Sequence, residues 1–343
     1  MAYLLSWRLS ADRTPASPSA QGLARDGLAW IEEMELLAAT EGGLWVVEPE
    51  AERAERALDE PVRCVAAGRD GIVLAGTADG VRLSGDRGRS FERIEVSEPD
   101  VFSVAVSPAD GALYAGTEPS HVFRATAPGA PFEELEALQR IPSRENWSFP
   151  PRPWTHHVRW IAPSPHDPER LLAGIELGGV MLSTNGGRSF ADHRPGAVAD
   201  AHQLAWHPTA AGRAYEVGGG GAAWSIDGGE SWEQDAGGLE VTYCWTLAVS
   251  PSDPDLWWIA AAPGPMQAHR RGDAGAHLYR RADGGWERLA GPLAKMPYAL
   301  VATDAAIFLA TRGGRLRVSE DGGESWIELG AELGSLSALA ALP

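Results

Sequence analysis

Cysteine is nearly absent: the 343-residue chain carries two, Cys64 and Cys244, too few for a disulfide framework. Basic charge is scarce as well, 29 Lys and Arg against 47 Asp and Glu, for a formal net charge of −18. A surface of that sign repels phosphate backbones and anionic bilayers, so neither nucleic acid nor a membrane is expected as a partner. No window reaches the roughly 18 apolar residues of a membrane span, and no G-X-Y period or sustained heptad suggests collagen or coiled coil. The opening MAYLLSWRLS has a short apolar run with Arg8 close behind. No signal peptide is expected from it, and the expected location is cytoplasmic.

What is plentiful is turn-forming and apolar material. Forty glycines and 25 prolines suit many short strands joined by turns, while 44% hydrophobic residues and 14 tryptophans supply a sizeable core. One pattern recurs: SGDRGRSF (Ser84–Phe91), STNGGRSF (Ser183–Phe190), SIDGGESW (Ser225–Trp232) and SEDGGESW (Ser319–Trp326), with worn copies starting at Ala125 and Arg281. The first residues lie 41, 58, 42, 56 and 38 positions apart, so a unit of about 40 residues repeats and two intervals carry insertions. Each unit reads as four short strands: VRWIAPSP, RLLAGIEL, GVMLSTN and SFADH in one copy. LAWIEEMELLAATEGGLWVVE aligns without gaps on ALVATDAAIFLATRGGRLRVS, giving a seventh unit from near Leu28. Seven such units predict an all-β fold, a seven-bladed β-propeller. Residues 1–22 read as an N-terminal strand and flexible segment (Ser10–Gly22 the polar part), and 23–343 as a single propeller. Either Tyr3–Leu9 or Leu336–Leu342 would close the ring, and Glu48–Glu60 reads as a helix-like, solvated outer segment.

S-x-D-G-G-x-S-W is the Asp-box, and the chain resembles the BNR/Asp-box repeat propellers, which include sialidases, sortilin-type receptors and photosystem II stability factor-like proteins. FPPRPWTHHVRWIAPSP, GIELGGVMLSTNGG and DAHQLAWHP are similar to the bacterial glycosyl-hydrolase-like BNR group. The resemblance implies the fold and leaves the activity open between a hydrolase and an assembly factor. Gln139-Arg140-Ile141-Pro142 matches only part of the sialidase arginine motif, with Gln in the aromatic place and in an insertion. In the boxes, the Asp or Asn is expected to accept N–H groups within its turn, and the Trp or Phe to pack between blades, so Asp227 and Asp321 are read as fold residues.

Strand order puts the box turns on one face and both insertions, about 136–157 and 263–276, on the other. Long loops gathered on one face mark the working face. Stacking the units on their inner strands places Asp26, Arg63, Phe102, Arg159, His202, Trp245 and Tyr298 at equivalent positions near this mouth. Asp100, His157, Asp200 and Tyr243 lie one layer further out, since side chains two apart share a strand face. Glu41, Glu118, Glu176 and Arg312 come from the matching turns. The arginines Arg63, Arg140, Arg144, Arg152, Arg159, Arg270, Arg271 and Arg312 gather at this end of an acidic protein, which points to a small anionic ligand. Trp147, Trp154 and Trp245 offer faces on which a sugar or other ring would stack.

Three chemistries fit this mouth. In a hydrolase or lyase, Glu176 and His202 exchange protons beside Arg159, His157 and Tyr243, while Arg63, Trp245, Tyr298, Phe102, Glu118, Arg312 and Arg270 bind an anionic, carbohydrate-like substrate. No cofactor is required, but a divalent metal is an alternative, held by His157, His202 and Glu176 with His156 and Asp200 nearby. The third reading is a scaffold that binds a protein partner across the same face. Cys64 and Cys244 fall within inner strands and read as small buried hydrophobes.

Overall fold

The short apolar runs of the repeat become the strands of small antiparallel sheets, because apolar runs of four to six residues broken by Gly, Pro and Asp cannot sustain a longer element. A computed structural model describes residues 34–49, 53–148, 155–270, 272–330 and 333–342. Seven sheets make up a seven-bladed β-propeller. Six sheets have four strands; the fourth blade has three (Val158–Pro163, Leu171–Ile175, Gly179–Ser183), its outer edge reduced to a Leu182–Ala191 bridge. Seven apolar clusters each join residues of two neighbouring blades, so the core is a ring of interfaces around the axis.

Leu336–Leu342 closes the ring, pairing with Glu35–Thr40 as the innermost strand of the first blade. Closure by the C-terminal strand ties the end of the chain to the first blade. Tyr3–Leu9, Ser10–Gly22, Asp26 and the first residues of the run from Leu28, up to Glu33, lie outside the described residues. The hub position expected for Asp26 is filled by Ser337. A second correction concerns Glu48–Glu60, where Arg53–Leu58 is the outer strand of the first blade rather than a helix. Its charges stand on a mostly solvent-facing strand, with an ion pair between Arg56 and Asp59 at 2.8 Å.

The S-x-D/N turns are built alike. The serine hydroxyl donates to the acidic or amide side chain (Ser84 to Asp86 2.6 Å, Ser225 to Asp227 2.8 Å, Ser319 to Asp321 2.8 Å) and accepts the N–H of a glycine four residues on. The carboxylate also takes the N–H of the second serine, at 2.9–3.0 Å. Trp232 then fills the interface between the fourth and fifth blades, and Trp326 that between the sixth and seventh.

Glycine permits the close approach of blades at the hub. A Cβ at Gly116 would lie 2.7 Å from Val158 of the next blade, and one at Gly76 would lie 2.7 Å from Val101. This contact brings the start of the Val158–Pro163 strand, and His157 before it, against the turn that carries Glu118.

Candidate functional site

Phe102, Arg159, His202, Trp245 and Tyr298, each from an inner strand, and Arg63, just before the inner strand Cys64–Ala67, line the central channel together with Ser337. Above them opens a cavity of about 770 Å³, lined by Phe102, His157, Arg159, Glu176, Asp200, Tyr243, Trp245 and Tyr298, with Leu177, Pro265, Met266 and His269 at its rim. The second insertion forms part of that rim through the short helix α1 (Pro265–His269). Of the described residues of the first insertion, His157 at its end lines the cavity and the rest do not. Leu138, Ile141 and Trp147 are buried in the interface of the third and fourth blades, so Trp147 is a packing residue. Arg152, Trp154 and Arg271 lie outside the described residues.

The fourth blade carries the densest polar cluster. His157 is 2% exposed and lies between two carboxylates, Nε2 2.8 Å from Glu176 and Nδ1 3.2 Å from Glu118. Burial disfavours its charged form, yet these hydrogen bonds outweigh burial and raise its pKa above the ordinary 6.5. Burial likewise pushes Glu176 up, but His157 and Arg159 overcome it and hold the carboxyl below its usual range. Arg159 Nε stands 3.6 Å from Glu176, and its guanidinium lies over Trp245 at 4.6 Å. Phe102 stacks on the His157 ring at 4.2 Å.

His202, in the fifth blade, is fully buried. Its Nδ1 lies 2.6 Å from the carbonyl oxygen of Cys244, so Nδ1 donates and Nε2 carries no hydrogen bond. Nε2 is directed at Asp200, 3.5 Å from Oδ2. Glu176, Asp200 and His202 each offer a donor atom, and these atoms lie within 4.8 Å of one another. The metal set read from sequence, His157, His202 and Glu176, thus differs by one member: His157 is engaged by two carboxylates, and Asp200 takes its place.

His269 has no counterpart in the sequence-based site, because it sits in an insertion with no strand register to place it. Its Nε2 lies 2.8 Å from the Tyr243 hydroxyl and its Nδ1 2.6 Å from the Tyr298 hydroxyl. Burial lowers its pKa to about 4, so it is neutral at pH 7. A neutral imidazole donates at one nitrogen and accepts at the other, so one tyrosine accepts from His269 and keeps its own O–H for the cavity. Burial raises the pKa of both phenols, which makes them proton donors rather than phenolate nucleophiles.

The anticipated concentration of free arginines is mostly spent within the protein. Arg63 pairs with Asp100, Arg312 donates to the His269 carbonyl, and exposed Arg140 pairs with Glu136. Arg270 is exposed at the end of α1 and does not line the cavity. Among the described residues, Arg159 is the one guanidinium that lines the cavity. Cys64 and Cys244 are buried, and burial pushes both thiols up to about 12, so neither is a nucleophile.

No protein-family model matches the chain, and neither does any curated protein. Solved structures do share its fold. A GH74 xyloglucanase from Xanthomonas campestris superposes with a TM-score of 0.66 at 16% identity, over 90% of this chain and 52% of its own. An ancestral GH74 enzyme gives 0.59 at 16%, over 82% and 38%. YCF48 bound to D1 peptide gives 0.54 at 16%, over 78% and 81%. This chain therefore spans about half the length of the xyloglucanase and less of the ancestral enzyme. At such identities the likeness establishes the architecture, a propeller shared by glycoside hydrolases and a peptide-bound protein.

Proposed function

We propose that the insertion-bearing mouth is the active site of a hydrolase or lyase acting on a small anionic molecule. One observation carries this reading: three polar atoms, Arg159 Nε, Asp200 Oδ1 and His202 Nε2, are buried where the channel meets the cavity above it, without hydrogen-bond partners. Such atoms cost stability in a folded chain and are kept where a ligand uses them. Arg159 binds the anionic group, since its guanidinium is held in place by the Trp245 face and Glu176. The Tyr243–His269–Tyr298 unit donates a proton to the leaving group. The Glu176–Asp200–His202 cluster accepts the proton that the reaction releases. Exposed Leu177 and Met266 give the ligand an apolar wall. Leu177 holds φ at 56°, a backbone strain that non-glycine residues keep mainly at functional turns. Stacking of a sugar on Trp245 finds less support, because Arg159 already covers one face and His202, His269 and Tyr298 surround the ring.

The same exposed rim suits a second reading as a scaffold that seats a peptide side chain, as the fold shared with a D1-peptide-bound propeller allows. Thermal shift with a panel of small carboxylates and phosphate esters separates the two. A ligand at 100 times its dissociation constant adds about 2.7 kcal/mol of stability. Arg159→Gln is expected to cut that response to about half or less, and Tyr243→Phe to abolish turnover while keeping it. A panel without response in the wild type would remove the enzyme reading and leave the scaffold.

A further inference from the structure

We infer that Glu176, Asp200 and His202 form a binding site for one first-row divalent cation of the zinc type. The inference stands on donor geometry alone and holds whether or not the proposed reaction does. Two carboxylates of the cavity wall and an imidazole of the channel beneath present donor atoms within 4.8 Å of one another. His202 is 0% exposed and its Nε2 has no hydrogen-bond partner, while Nδ1 donates to the Cys244 carbonyl at 2.6 Å. That bond fixes the tautomer in which Nε2 offers its lone pair, the arrangement found behind metal-ligating histidines. Asp200 adds a second buried donor without a hydrogen bond, Oδ1. One nitrogen and two oxygens leave coordination positions open toward the cavity, and the imidazole favours zinc over calcium or magnesium.

The chain also makes room for this geometry. Glu118 and Glu176 follow the second strands of the third and fourth blades, and the equivalent residue of the fifth is Gly219, inside the run Gly218–Gly221. A Cβ at Gly219 would meet Asp200 Oδ2 at 1.9 Å. Glycine there lets the Asp200 carboxylate fold back toward His202.

The test is calorimetric titration of Zn²⁺ into the full chain after dialysis against a chelator, with Co²⁺ absorption as a report of nitrogen and oxygen donors. One equivalent is expected to bind. Asp200→Asn and His202→Gln should each weaken it about 100-fold or more, since even residues behind the ligands cost 10–100-fold. Gly219→Ala, which removes no donor atom, should weaken it by at least about tenfold through the displaced carboxylate. Circular dichroism of the metal-free variants separates lost ligands from lost fold, and Asp200→Asn, partly exposed, is the variant expected to keep its fold. Arg159→Gln should keep zinc binding while losing about half or more of the anion response, so failure of either reading is seen separately. Absence of a saturable site in the wild type, binding that survives both Asp200→Asn and His202→Gln in folded protein, or calcium bound as tightly as zinc would overturn the inference.

Discussion

Asp227, on the face of the repeated turns, and Glu176, at the opposite mouth, are both carboxylates held below their usual pKa, yet they are held in opposite ways. The hydrogen-bond partners of Asp227 come from within four residues: the Ser225 and Ser231 hydroxyls and the Ser231 N–H. Its group is complete within its own turn. Glu176 is held by His157 and Arg159 from the neighbouring strand, and the atoms around it include buried ones with no hydrogen bond. A carboxylate satisfied by its own turn is part of the fold, whereas one assembled across strands beside unpaired atoms is placed for a ligand. Glu216 is a third kind: fully buried, accepting only the Val198 N–H at 2.9 Å, and pushed well above its usual pKa by burial.

The comparison breaks most visibly at Arg159. Removing its charge with Arg159→Gln should weaken binding of a small anion about tenfold to a hundredfold, the worth of a hydrogen bond to a charged group. The melting temperature without ligand should barely move. Asp227→Ala should do the reverse, costing about 1–2 kcal/mol as a lost cap does and leaving ligand and zinc responses unchanged. Urea unfolding of the two variants side by side measures this. Glu216→Gln should stabilise the protein at neutral pH, because it removes a carboxyl whose charged form burial disfavours. The sign follows because a carboxyl whose folded pKa is raised loses stability as pH climbs above the unfolded value; the gain should vanish below pH 4. The smallest effect is acid loss at the turns. Folding depresses Asp86, Asp227 and Asp321, the last to about 2, chiefly through serine hydroxyl and N–H bonds that outweigh burial where it opposes them. Their contribution is present above about 3.9 and is lost as pH falls toward 2. Replacing all three by Asn should flatten that limb of the stability profile.

The architecture is legible in the sequence because a propeller repeats its turn chemistry. Four copies of one turn, at a period near 40, locate every blade interface they touch. The strand register carries over as well, since Arg63, Phe102, Arg159, His202, Trp245 and Tyr298 line the channel. The first blade departs from it because its hub strand comes from the other end of the chain, which puts Ser337 where the run of repeats placed Asp26. The Arg53–Leu58 strand was obscured because charges spaced three and four apart also suit an exposed edge strand. At the site, residue types were legible and pairings were not. Periodicity aligns Arg63 with Arg159 and Asp100 with Asp200, but does not say that Asp100 pairs with Arg63 while Asp200 turns toward His202. His269 escaped because an insertion has no register, although its place in the second-to-third-strand loop of the sixth blade marked the segment as one that overhangs the mouth.

The central claim is that chemistry belongs to the mouth and stability to the turns, and one paired measurement tests it. Asp200→Asn and Asp227→Asn are compared with wild type by thermal melting, metal-free and with saturating Zn²⁺. Asp200→Asn should melt with the wild type when metal-free and gain nothing from zinc, while Asp227→Asn should melt lower and gain as much as the wild type does. A zinc shift retained in Asp200→Asn, or lost in Asp227→Asn, would contradict the account.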